Sequence, residues 1–93
     1  MTDTKIYLQP KSNVIAVIQY MKRMQVGKET LSDIQNGIIH FTVWEKNEEW
    51  EYRIAVTNVD QNQCEVKIGI GGDALNKDEK IRSEFALLDS MMS

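Results

Sequence analysis

The chain contains one histidine and one cysteine among its 93 residues, and this pair limits its chemistry. Nucleophilic catalysis through Cys64 needs a base within hydrogen-bond reach, and His40 is the only imidazole. Period-two alternation places the two on opposite faces of one sheet, so they cannot pair. A zinc site asks for about four nitrogen, sulfur or carboxylate ligands, and the same separation parts the two best donors. The expectation is therefore no metal and no cofactor, with His40 a surface histidine and Cys64 a small buried hydrophobe.

Glu45, Glu48, Glu49 and Glu51 surround Trp44 and Trp50. Paired carboxylates do acid/base work when two share a cleft in unequal environments. Here the spacing puts them on a convex hairpin tip, where they solubilise a turn. Gly69-Ile70-Gly71-Gly72-Asp73 follows a strand and precedes a helix, as phosphate-cradling loops do, but no Lys-Ser/Thr pair follows. Lys22, Arg23 and Lys28 form a small basic cluster without interleaved aromatics, which argues against nucleic-acid binding. Without a reactive cluster, no enzyme is expected.

The elements that position these residues follow from patterning. Ile39-Phe41-Val43, Trp50-Tyr52-Ile54-Val56 and Cys64-Val66-Ile68-Ile70 alternate with polar residues and predict a half-buried antiparallel meander. A first turn centred on Asn47-Glu48 sets Val43 opposite Tyr52, Phe41 opposite Ile54 and Ile39 opposite Val56. That register places His40 opposite Ala55. The second loop, Asp60-Gln61-Asn62, sets Val56 opposite Val66, Ile54 opposite Ile68 and Tyr52 opposite Ile70. Both registers pair inward residues with inward residues, whereas a one-residue slip would set apolar against polar.

Lys5-Ile6-Tyr7-Leu8-Gln9 predicts a short strand ended by Pro10. Val14, Ile15, Val17, Ile18, Met21 and Met24 recur at helical spacing after a Ser12 or Asn13 cap and predict a helix that stops near Gly27. Residues 28–36 read as a connector, with Thr30 or Ser32 available to cap one helical turn and Asn36-Gly37 marking a turn. A last helix is expected from Lys77 to Met91, opened by a capping box of Asn76 and Glu79. Its apolar stripe is Ile81, Phe85, Leu88 and Met92, widened by Leu87 and Met91. Asp78 with Arg82, and Lys80 with Glu84, are placed as i, i+4 ion pairs on the wet side.

The sum is a single α+β domain over residues 1–93: a two-layer sandwich in β-α-β-β-β-α order, with an antiparallel meander sheet and both helices packed on one face. In its order of elements it resembles the helix-grip (START-like) domains, in which a long C-terminal helix closes a curved sheet over an apolar cavity. The order also resembles the opening half of the small acidic type III secretion chaperones. A hydrophobic fraction of 42% and a charged fraction of 27% suit an ordinary globular chain. A net charge of −3, dispersed along the chain, offers no long-range attraction to nucleic acid or an anionic membrane. Met1-Thr2-Asp3-Thr4 opens polar, and no apolar run approaches the roughly 20 residues of a membrane span, so a cytoplasmic protein is expected.

Two functions fit these readings. The first is an interaction module that binds a protein partner or a second copy through the outer sheet face, where Trp44, His40, Arg53, Lys67 and Glu51 would form the surface. The second is a binder of a small apolar ligand between the sheet and the C-terminal helix. Its pocket would be lined by Phe41, Tyr52, Ile54, Ile68, Met21, Phe85 and Leu88.

Overall fold

Lys46 and Asn47 both take positive φ, 51° and 63°, and this one turn fixes how the central strands meet. Two successive left-handed residues make the tight hairpin turn whose twist matches the flanking strands, and Asn tolerates that conformation better than most side chains. In the computed structural model, which describes residues 2–25 and 27–92, the turn joins β3 (Ile38–Glu45) to β4 (Glu48–Asp60). The reversal is therefore centred on Lys46-Asn47, one residue earlier than the sequence spacing predicts. Pairing shifts by two: Val43 faces Trp50, Phe41 faces Tyr52, Ile39 faces Ile54, and His40 faces Arg53 in place of Ala55.

β5 (Gln63–Gly71) pairs with β4 in the expected register, Val56 with Val66, Ile54 with Ile68 and Tyr52 with Ile70. The turn itself is tighter than the expected three-residue loop. Asp60 pairs with Gln63 around Gln61-Asn62, and the odd residue is absorbed as a bulge between Asn58 and Asp60. Asp60 Oδ1 accepts a 2.8 Å bond from the Asn62 N–H.

β1 (Thr2–Tyr7) adds to the free edge of β5 and starts three residues before the predicted strand. The connector expected at 28–36 is largely a fifth strand, β2 (Gly27–Asp33), followed by a single 3-10 turn at Ile34–Asn36. Asp33 caps that turn, in place of Thr30 or Ser32: its Oδ1 accepts from the Asn36 N–H at 3.4 Å. Gly37 then crosses into left-handed space at φ 72°, and its carbonyl accepts from Val56 N at 2.8 Å. The sheet runs β1-β5-β4-β3-β2, antiparallel throughout.

Helix α1 (Lys11–Met24) begins after Pro10, whose extended φ and ψ of −61° and 146° fit a cap position. Its carbonyl accepts from Asn13 N at 3.1 Å, so Ser12 and Asn13 lie inside the first turn and do not cap it. Helix α2 (Lys77–Met92) follows Asn76, which takes φ 55° and offers its backbone carbonyl to Lys80 N at 3.0 Å. Val14, Ile15, Ile18 and Met21 of α1 and Ile81, Phe85 and Leu88 of α2 are buried against the inward residues of the three central strands. Tyr7 joins them from β1, and its hydroxyl donates 2.7 Å to Asp89 of α2, which Lys5 also meets at 2.5 Å. Desolvation raises the Asp89 carboxyl, but those two bonds and the Lys5 charge outweigh it and hold the group below the ordinary range.

The result is the expected α+β fold with both helices against one sheet face; the added strand β2 extends the meander, so the β-α-β-β-β-α order becomes β-α-β-β-β-β-α. No helix among the described residues is long and apolar enough to cross a membrane.

Candidate functional site

Ile81, Glu84, Phe85 and Leu88 stand at i, i+3, i+4 and i+7 on α2, so Glu84 lies within the helix's buried stripe. Its exposure is 2%, and it does not form the wet-side ion pair with Lys80 that the i, i+4 spacing suggests. Its Oε1 accepts a 2.8 Å bond from Gln25 Nε2, just past the end of α1, while Oε2 has no hydrogen-bond partner. Burial pushes the carboxyl up to about 7, the Gln25 bond opposing that rise only in part.

Glu84 forms part of the wall of a cleft of about 470 Å3 between the β3-β4 hairpin and the first turns of α2. Trp50, Tyr52, Gln25 and Leu87 supply further walls, with Glu45, Lys46 and Glu48 from the hairpin and Glu79, Lys80 and Ser83 from the helix. Among the described residues four buried side-chain polar atoms lack a hydrogen-bond partner, and three of them, Gln25 Oε1, Trp50 Nε1 and Glu84 Oε2, belong to these walls. Buried polar atoms are paired in the great majority of cases, so such a cluster marks the place where packing has been subordinated to something else.

The two-residue shift at Lys46-Asn47 builds this cleft. It sets Trp50 beside Val43 at the core margin, with its ring edge-on to Tyr52 at 6.2 Å. It also brings Glu48 over α2, so the tip is not the freely solvated convex turn expected of it. Leu75 N donates 2.6 Å to Glu48 Oε1, which lies 3.2 Å from Lys80 Nζ. The Leu75 bond holds the Glu48 carboxyl below its ordinary range, Lys80 assists, and desolvation opposes. The Lys80 ammonium rests 4.6 Å from the centre of the Trp50 ring. Tyr52 donates 3.2 Å to the Lys80 carbonyl. Desolvation first, and the Glu84 charge second, raise its phenol above the ordinary value; Trp50 Nε1 approaches and eases that rise without reaching hydrogen-bond geometry.

Of the seven residues expected to line an apolar pocket, only Tyr52 reaches the cleft. Phe41, Ile54, Ile68, Met21, Phe85 and Leu88 are packed into the core. The outer-face group is arranged differently. Glu51 Oε1 accepts 2.8 Å from Arg53 Nε, and its Oε2 accepts 2.9 Å from Thr30 of β2. The Arg53 bond holds the Glu51 carboxyl low against desolvation, with Thr30 and the charges of Arg53 and His40 contributing. His40 adjoins Arg53 across the ladder, Lys67 pairs with Ala55, and Trp44 stands at the far end of β3 opposite Glu49, 43% exposed. The face thus joins Glu51 to Arg53 and Thr30, with His40 and Trp44 each two residues along β3 from Thr42, which faces Glu51. Cys64 is buried on the inner face, and burial pushes its thiol up. Among the described residues, no three His, Cys, Asp or Glu side chains gather as a metal site would require.

No family model matches the chain, and no curated protein matches it. Among solved structures it is similar to the di-domain ARO/CYC StfQ from the steffimycin biosynthetic pathway, with a TM-score of 0.54 at 11% identity. The match covers 95% of this chain and 42% of that one, so the chain spans less than half the length of the structure it resembles. At that identity the likeness concerns the fold.

Proposed function

We propose that the protein binds a small molecule in the cleft between the β3-β4 hairpin and α2. The observation that carries this reading is that Glu84, Gln25 and Trp50, each bearing a buried unpartnered polar atom (Oε2, Oε1 and Nε1), all line one cleft. Each such atom costs about 1–3 kcal/mol when left unmade, and a ligand that completes their bonds recovers part of that cost. The fold shared with a protein of a biosynthetic pathway supports a small-molecule cargo, as does a cleft volume within the usual range of ligand pockets. Mixed polar and apolar walls replace the purely apolar pocket expected from the sequence. The reading is of a binding protein; neither His40 nor Cys64 reaches the cleft, so it holds no Cys-His nucleophile pair.

The test is a titration of labelled protein with a panel of small fragments, followed by NMR. Saturable shifts at the Trp50 indole N–H and the Gln25 side-chain amide are expected, with Trp44 unmoved. Shifts confined to Trp44, or none that saturate, would overturn the reading.

A second reading, capture of a protein partner or a second copy, is favoured by a separate observation. Trp44 and Leu31 are 43% and 54% exposed on the outer face, and β2 leaves one of its edges unpaired.

A further inference from the structure

We propose that the ligand of this cleft is an organic cation, whose ammonium or amidinium group pairs with Glu84 and displaces the Lys80 ammonium from the face of Trp50. The inference deepens the small-molecule reading and rests on it. Three observations carry it. First, the buried unpartnered oxygens, Glu84 Oε2 and Gln25 Oε1, are acceptors on side chains already joined by a 2.8 Å bond. A group rich in N–H donors answers both, whereas an anionic ligand would set charge against charge. Second, the charged walls hold Glu45, Glu48, Glu79 and Glu84 against Lys46 and Lys80, an excess of negative charge around an aromatic surface. Third, the site already holds an ammonium: Lys80 Nζ lies 4.6 Å from the Trp50 ring centre and 3.2 Å from Glu48 Oε1. The protein's own side chain thus shows what this aromatic face accepts, and it stands one helical turn from the unpartnered Glu84 oxygen. A ligand cation that takes this place must release Lys80 Nζ from Glu48 and from the Leu75 carbonyl, to which it also donates, while Glu48 keeps its bond from the Leu75 N–H.

The probe is phenethylammonium at pH 8, with phenethyl alcohol and phenylacetate as neutral and anionic comparators, read at the Trp50 indole N–H. The amine is expected to bind about tenfold or more tightly than either comparator, since a charge-assisted bond to a buried carboxylate is absent from both. Glu84→Gln should weaken amine binding by about tenfold or more and alcohol binding far less, so that the gap between the two closes. Lys80→Met removes the internal competitor and should tighten amine binding by about fivefold. Should the alcohol or phenylacetate saturate Trp50 as tightly as the amine, the cation inference falls and the cleft reading stands. Unchanged or weaker amine binding in Lys80→Met likewise overturns the inference. If no probe moves Trp50, both are overturned.

Discussion

Replacing Glu84 with glutamine should stabilise the protein at pH 8 and hardly at all at pH 4. An unfolded chain releases the Glu84 proton around 4.5, whereas the folded protein keeps it up to about 7. Between those values the folded state binds the extra proton, so stability falls as pH rises, and the loss is complete above 7. The span from 4.5 to about 7 corresponds to about 3 kcal/mol of cost for carrying the buried charge. Glutamine retains an oxygen for Gln25 Nε2 and carries no charge. The stability difference between variant and wild type should therefore grow from near zero at pH 4 to about 3 kcal/mol at pH 8. Urea unfolding by tryptophan fluorescence at pH 4, 6 and 8 measures it. Groups that lose stability on acidification, Asp89 and Glu51 among them, are common to both proteins and cancel in the difference. A difference that stays flat across this range would refute the burial argument, and one that shrinks with rising pH would reverse its sign.

Three other substitutions probe the frame around the cleft. Gly37→Ala places a Cβ 2.2 Å from the Val56 carbonyl at a φ of 72°, so a loss of about 1–3 kcal/mol is expected in urea unfolding. Tyr7→Phe removes the 2.7 Å bond that ties β1 to Asp89 of α2; it should cost about 1–2 kcal/mol and let the Asp89 carboxyl titrate higher by carboxyl NMR. Trp44→Ala should change stability by less than about 1 kcal/mol, because the ring is 43% exposed. Light scattering on that variant tests the second reading: a wild type that self-associates should shift toward monomer, and a wild type strictly monomeric at high concentration removes self-association.

Much of the frame was legible in the sequence, because burial imposes period two on the central strands and the 3.6-residue period on α2. The register of β3 on β4 was not, since the parity test rejects a one-residue slip and passes a two-residue slip unchanged. What decides between them is the positive φ at Lys46 and Asn47, a local preference of the turn. β2 leaves no pattern in the sequence because it is an edge strand: Lys28, Glu29, Thr30 and Leu31 are all exposed, so backbone pairing holds it and no alternation records it. Glu84 carries two conflicting signals. Its spacing from Lys80 imitates a surface ion pair, but its place between Ile81 and Phe85 on the stripe of Leu88 was the signal that a carboxyl enters the core. Gln25 gave no such signal, since only the tertiary approach of the end of α1 to α2 brings it to Glu84.

The cleft walled by Trp50, Gln25 and Glu84 is the proposed meeting place of this protein and its ligand. A crystal of the protein soaked with a mixture of small fragments tests it most directly. Fragment density is expected against Trp50, within hydrogen-bond distance of Glu84. Density confined to the outer sheet face around Trp44, with the cleft holding solvent alone, would contradict it.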